Sequence, residues 1–333
     1  MDKRSKSTPS SLTDPTGRRI SYLRISLTER CNLRCGYCYS PNTSDLSRNE
    51  PLTKPELYRL IEAFSHLGID KIRFTGGEPL LRSDFVEIVE QTTKNFHVPI
   101  IGLTTNGVLL KPILPKLIGL GLNRLNISLD SLIQETFQSI TGCDSLHTVL
   151  DAISMAEQSG AFPFVKVNTV VMKDINSGEI NDMARWALQK KIDLRFIEYM
   201  PTQNNGWGEE RFIPEDEMRQ RIELDLIPVN NSGASSGPAR TYQVPGYPGR
   251  LSFISAVSHK FCRDCNRLRL TSTGQLIGCL FREQKIDLKK LLRMGSSIED
   301  ISDFIQNAIA YGQFRKPYDS MVDYRPSMVA VGG

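Results

Sequence analysis

The sequence predicts an α/β fold: a parallel sheet of repeated βα units, curled into a barrel or part of one, followed by a smaller C-terminal lobe. Three observations predict it. From Ser21 to Met200, short apolar strands alternate with amphipathic helical stretches. After Met200 this periodicity dissolves into Pro, Gly, Asn and Ser punctuation through Gly249, which marks a boundary. At 333 residues the chain also exceeds the roughly 250 to 300 residues at which a single core stops growing.

In chain order, residues 1–20 are basic and Ser-rich, include Asp2, Asp14 and two prolines, and show no amphipathic period. They read as a flexible leader. No apolar stretch of the signal-peptide kind follows Met1, so the expected location is a reducing cytoplasm, where structural disulfides are rare. Residues 21–200 hold six strands: Tyr22 to Thr28, Lys71 to Thr75, Ile100 to Thr105, Arg124 to Asp130, Phe164 to Met172 and Asp193 to Tyr199. Between them runs helical spacing, as in Leu57, Leu60, Ile61, Phe64 and Leu67, which lays one apolar stripe against a sheet. Right-handed crossovers then curl the sheet. Residues 201–333 carry helical patterns near Pro214 to Ile222, Asp287 to Met294 and Ile298 to Ala310, and end in Gly332 and Gly333.

Side chains on a strand alternate between faces. One set is apolar throughout, namely Leu23, Ile25, Leu27, Ile72, Phe74, Ile101, Leu103, Leu125, Ile127, Leu129, Val165, Val167, Leu194 and Phe196, and should meet the helices. The opposite set is Arg24, Ser26, Thr28, Arg73, Thr75, Gly102, Thr104, Arg124, Asn126, Ser128, Asp130, Lys166, Asn168 and Arg195. A closed barrel fills its centre with branched apolar side chains. Here the five cations of that set would be costly to bury without partners, so either an anion such as a phosphate or carboxylate occupies the interior, or some strands have water on one face.

The composition is that of an ordinary globular protein, 40% hydrophobic and 23% charged, and no run approaches the roughly 20 apolar residues of a membrane span. A net charge of +4 does not point to a nucleic-acid binder. Of seven cysteines, Cys143 stands alone and is expected to be a small buried side chain. The others form two groups. Cys31, Cys35 and Cys38 follow the first strand at C-x3-C-x2-C, a spacing that favours an iron–sulfur cluster with one open iron over an incomplete zinc site. Cys262, Cys265 and Cys279 fit either zinc, with His259 as fourth ligand, or a second cluster. Between these thiols, Arg267 and Arg269 share a side if extended and suit phosphate; a solvated charge pair is the alternative. Gly76 and Gly77 let a ligand approach the backbone closely, or form a strand-to-helix turn.

The cysteine loop with Tyr37, and Thr75-Gly-Gly-Glu-Pro79 after the second strand, resemble the radical S-adenosylmethionine (SAM) superfamily. The segments Leu23-Arg-Ile-Ser, Lys71-Ile-Arg-Phe-Thr-Gly-Gly-Glu-Pro, Gly102-Leu-Thr-Thr-Asn-Gly, Asn126-Ile-Ser-Leu-Asp, Val165-Lys-Val-Asn, Arg195-Phe-Ile-Glu-Tyr-Met-Pro and the final Gly-Gly extend the resemblance to its GTP 3′,8-cyclase branch, over about Gly17 to Gly333. The resemblance implies a partial (βα)6 radical SAM barrel with a C-terminal iron–sulfur lobe. It implies one 4Fe-4S cluster on Cys31, Cys35 and Cys38, a second on Cys262, Cys265 and Cys279, and SAM near Tyr37, Gly77, Ser128, Arg195 and Met200. It implies GTP near Arg24, Arg73, Thr104, Lys166, Arg267, Leu268 and Arg269, with Arg267, Arg269, Gly332 and Gly333 in the catalytic set.

The implied reaction opens with hydrogen abstraction from ribose C3′ by a 5′-deoxyadenosyl radical and closes that carbon onto guanine C8. An electron donor, a homodimer and transfer of product to cyclic pyranopterin monophosphate synthase are also implied. No G-x-x-x-x-G-K-[ST] loop is present, so side-chain cations are expected to hold the nucleotide. Tyr39 and Ser40 stand where Met-Pro is usual, and the loop 41–50 is short, which bears on the capping of the first cluster. Two rivals are a radical SAM modifier of peptides or small molecules, whose extensions tend to carry more than the three cysteines found here, and a non-enzymatic redox sensor, which would have no use for the polar interior.

Overall fold

The computed structural model describes residues 11–38, 50–201, 208–229, 238–259, 261–280 and 284–311. Gly332, Gly333, Tyr39, Ser40 and the loop 41–49 lie outside them. The chain runs β1 (Tyr22–Ser26), α1 (Lys54–His66), β2 (Lys71–Thr75), α2 (Phe85–Asn95), β3 (Ile100–Thr105), α3 (Leu114–Gly119), β4 (Arg124–Ser128), α4 (Gln134–Thr141), α5 (Leu146–Gln158), β5 (Val165–Val171), α6 (Ile180–Leu188) and β6 (Ile192–Glu198). Then follow α7 (Glu215–Gln220), β7 (Ile227–Val229), β8 (Arg240–Gln243), β9 (Arg250–Ile254), β10 (Arg267–Leu270), β11 (Gln275–Ile277), β12 (Lys285–Asp287), α8 (Leu288–Arg293) and α9 (Ile298–Ala310). All six strands expected from the sequence form, their ends moved by at most two residues.

These strands are neighbours in chain order, β1 to β6, and every adjacent pair is parallel, the arrangement of a partial (βα)6 barrel. The C-terminal part is built onto the same sheet, at both edges. Strand β10 joins β1 in parallel and β9 joins β6 in parallel, and antiparallel partners extend the sheet outward to β12 and β7. The reason lies in β10 itself: Leu268 and Leu270 alternate with Arg267 and Arg269, so both faces match those of β1. One hydrophobic cluster accordingly contains Leu23, Leu60, Phe74, Leu268, Leu276 and Ile305 together.

Helix α1 starts where Thr53 and Glu56 form a reciprocal capping box with Pro55 between them in the first turn, and α9 starts on the equivalent pair Ser297 and Asp300. The leader reading needs correction for residues 11–20. Leu12 and Ile20 are buried in the core, and the Asp14 carboxylate accepts from the Thr16 and Arg18 N–H groups, closing a turn that passes through Gly17 at φ 81°. Turn chemistry and two apolar anchors outweigh the polar composition of this stretch.

Candidate active site

The first cysteine loop leaves β1 at its C-terminal end and is clamped from two sides. The N–H groups of Gly77 and Glu78 donate to the carbonyls of Thr28 and Arg30 at 2.7 and 2.8 Å, and those of Arg34 and Gly36 donate to Thr141 and Ile140 at 2.8 and 3.0 Å. A Cβ on Gly76 would stand 2.5 Å from the Thr28 carbonyl oxygen, and one on Gly77 2.3 Å from that of Arg30. The glycines are thus required by the loop's own backbone, a different reason from the close ligand approach expected from sequence. Glu78, fully buried, accepts from the Leu80 and Asn106 N–H groups and the Thr105 hydroxyl. Burial raises its carboxyl to about 7 against those three donors.

Around the thiols, the Leu33 N–H and the Asn106 amide donate to Cys31 Sγ at 3.4 and 3.8 Å, and the Tyr37 hydroxyl donates to Asp130 at 2.8 Å. Burial, then Cys31 and Asp130, push the Cys38 thiol up to about 12, and burial, Asp130 and the other two thiols push Cys35 up in the same way. Three soft donors that oppose one another's ionisation fit a cationic iron–sulfur cluster, which would supply the charge they lack. Among the described residues, no three His, Cys, Asp or Glu side chains converge on a single-ion position. Cys143, half-buried, packs beside the loop with Sγ 3.5 Å from the Asn32 carbonyl, and not in the core.

The polar face of the sheet is continuous across strands. Arg269, Arg24, Arg73, Gly102 and Arg124 lie in one register row. Thr104, Asn126, Lys166, Asp193 and Arg250 form a second row, and Ser128, Asn168, Arg195 and Ser252 a third. Arg73 is buried, donating from Nε to the Tyr22 hydroxyl at 2.9 Å and from NH1 to the Leu103 carbonyl at 2.8 Å and Thr104 Oγ1 at 3.4 Å. Its guanidinium fills the space where Gly102 lacks a Cβ. Lys166 is pushed down to about 6 by burial, then by Arg195, Arg73 and Lys71, with only Asp193 opposing them. Ser26 Oγ, Asn126 Oδ1 and Asn168 Oδ1 are buried on this face with no partner among the described residues. A face so rich in cations and open acceptor sites fits a polar, anionic ligand.

Three residues missed from sequence belong here. Lys71 and Tyr22 lie on the same face, one period-two step before Arg73 and Arg24, and extending the alternation backwards would have found them. Asp193, fully buried, accepts from Ser252 at 2.6 Å, Arg195 at 2.8 Å and Arg250 at 3.3 Å, so two cations of the face have a built-in partner. Leu268 is the opposite case. Its side chain is 0% exposed in the hydrophobic core, on the face away from Arg267 and Arg269, because strand alternation points it there.

The second thiol group sits at the other end of β1. Cys265 precedes β10 by two residues, Cys279 follows β11 by two, and β10 is parallel to β1 with Tyr22 opposite Arg267. The five residues of β1, roughly 17 Å of strand at roughly 3.3 Å each, therefore lie between the ends at which the two thiol groups sit. The segment before Cys262 is fixed by Glu198, which accepts from the Val257 and Ser258 N–H groups at 2.9 Å, while Arg18 donates to the Cys262 carbonyl. Burial, Arg267 and Arg24 lower the Arg269 guanidinium, and Cys265 and Cys279 act in the opposite sense, which ties this thiol group to the cationic face. His259 Nε2 stands 3.4 Å from an Asp216 carboxylate oxygen, a contact that leaves its other ring nitrogen for the zinc set considered from sequence.

Residues 25–187 match the family model of the radical SAM superfamily, and residues 192–317 match that of Molybdenum Cofactor Synthesis C. The chain is 44% identical over 303 residues to the GTP 3′,8-cyclase of Thermodesulfovibrio yellowstonii, covering 90% of this chain and 93% of that protein. The chain belongs to the GTP 3′,8-cyclase family. It is a radical SAM enzyme. The family member of Geobacter sulfurreducens is 43% identical, over 86% of this chain and 88% of that protein. Human Molybdenum cofactor biosynthesis protein 1 is 41% identical over 90% of this chain but only 47% of its own length. Among solved structures, SuiB of Streptococcus suis superposes with a TM-score of 0.62 at 15% identity, over 90% of this chain and 69% of that one, a likeness of fold.

Proposed function

We propose that this enzyme converts GTP to 3′,8-cyclo-7,8-dihydro-GTP, the first step of molybdenum cofactor biosynthesis, with SAM and two 4Fe-4S clusters. The observation that carries the reading is one cationic sheet face with a three-thiol group at each end of β1. Cys31, Cys35 and Cys38 hold the first cluster, and Cys262, Cys265 and Cys279 the second. SAM lies against Tyr37, Gly77, Ser128, Arg195 and Met200. The triphosphate and guanine lie against Arg24, Arg73, Thr104, Lys166, Arg267 and Arg269, with Lys71 added from its place on the same face.

When bound, the first cluster supplies the electron that splits SAM, whose adenosyl fragment supplies the hydrogen-abstracting group. The chain's own contribution is to neutralise the phosphates, hold ribose C3′ within reach, and keep water from the reacting carbon. Gly332 and Gly333, which lie outside the described residues, join the catalytic set on the family resemblance. Partners are an electron donor, a second copy of the chain and cyclic pyranopterin monophosphate synthase, which receives the product in the cytoplasm. No described helix is long and apolar enough to cross a membrane.

Anaerobic incubation of reconstituted enzyme with SAM, a reductant and each nucleoside triphosphate in turn tests the reading by chromatography and mass analysis. GTP alone should yield a cyclised isomer together with 5′-deoxyadenosine, and a chain ending at Val331 should lose the cyclised product while retaining SAM binding. SAM cleavage that no nucleotide stimulates would instead favour a different substrate.

A further inference from the structure

Tyr22 occupies an unusual place for a phenol. It is 7% exposed, at the start of β1, inside the cationic face. From β1 comes Arg24, whose charge acts on its hydroxyl; from β2, Arg73 donates Nε to that oxygen at 2.9 Å and Lys71 Nζ stands 4.4 Å from the ring centroid; from β10, Arg267 lies opposite in register. The charged groups that act on it from these three strands are all cations. Arg73 is the pivot, because its other nitrogen reaches the Leu103 carbonyl and Thr104. One oxygen therefore fixes the forks expected to meet phosphate.

We propose that Tyr22 is a positioning residue of the nucleotide site: its phenolate serves as internal counter-anion to Arg24, Lys71, Arg73 and Arg267, and it takes up a proton when nucleotide phosphates arrive to replace it. This rests on the nucleotide reading above. The exchange balances simply, one proton passing from solvent to the phenolate oxygen as the phosphates assume its partners. Burial disfavours the phenolate, but Arg73, Arg24, Lys71 and Arg267 outweigh burial and hold Tyr22 at about 7. The sign follows. Above that pH the free enzyme carries the phenolate and the complex the phenol, so binding consumes a proton and affinity falls by up to about tenfold per pH unit. Lys166 and Lys71, lowered to about 6 and about 8, regain charge with the same sign on binding, so the contribution of Tyr22 must be isolated by substitution.

The test is titration calorimetry of the reconstituted full chain with GTP at about pH 8, in buffers of different ionisation enthalpy, for wild type and Tyr22→Phe. The wild type should take up protons, and the variant should take up about one fewer and show a correspondingly flatter pH dependence of Kd, with iron content and SAM binding retained. Equal proton uptake by the two proteins overturns the proposal. Should the variant fold poorly, ultraviolet difference spectra of the wild type provide the second measurement: tyrosinate absorbance should disappear on adding GTP, and its persistence equally overturns the proposal. Absence of GTP binding by the wild type would remove the nucleotide reading itself, and this inference with it.

Discussion

A Cβ on Gly102 would stand 2.9 Å from Cζ of Arg73 and 3.0 Å from its NH2. The tip of an arginine usually yields to a methyl group, but this one is held by Tyr22, Leu103 and Thr104. Gly102→Ala should therefore act through Arg73, displacing the fork proposed to meet the nucleotide. Arg73→Ala is expected to weaken GTP binding by about 1.5 to 3 kcal/mol, the worth of a charge-assisted contact. Gly102→Ala should lose a comparable part of the affinity in the wild-type background and little in the Arg73→Ala background, where the space is vacated. Four calorimetric titrations decide it: additive losses would mean that Gly102 serves the backbone alone.

At the scale of elements, β10 carries two functions on four residues. Arg267 and Arg269 line the cationic face, while Leu268 and Leu270 tie the strand to the core shared with β1. Leu268→Ala should destabilise the chain by about 2 to 5 kcal/mol, the usual cost of a large-to-small change in a packed core. Ile227→Ala on the outer strand β7, where the side chain is 53% exposed, should change stability by no more than about 0.5 kcal/mol. Urea midpoints of the two variants measure the contrast, and similar midpoints would deny β10 its anchoring role. The six barrel strands were legible in the sequence because period-two alternation is strong when one face is wholly apolar and the other wholly polar. That pattern also placed Arg24, Arg73, Thr104, Lys166 and Arg195 on one face. The position of β10 was not legible, since strand pairing across more than two hundred residues leaves no local trace. For Asp193 the pair with Arg195 lies two residues along the same strand and follows from alternation, whereas the pair with Arg250 depends on the neighbouring β9 and was not legible. The buried turn at 11–20 was hidden by a polar composition that two apolar residues did not outvote.

For the whole molecule, the parallel pairing of β10 with β1 sets the two thiol groups at opposite ends of one strand, with the cations between them. The proposed nucleotide on that face would lie between the two groups, and the proposal expects both to carry a metal centre. Each three-thiol site should hold four irons, so anaerobic reconstitution should give about eight per chain. The two halves are separable because the groups share no ligand. Replacing Cys262, Cys265 and Cys279 by serine should lower the content to about four irons, with SAM binding retained and GTP cyclisation lost. Zinc at the second site is the competing outcome, with His259 as the fourth donor through the ring nitrogen that does not face Asp216. Metal analysis of the wild type together with Mössbauer spectra of both proteins distinguishes the two: about four irons and one zinc in the wild type would remove the second cluster.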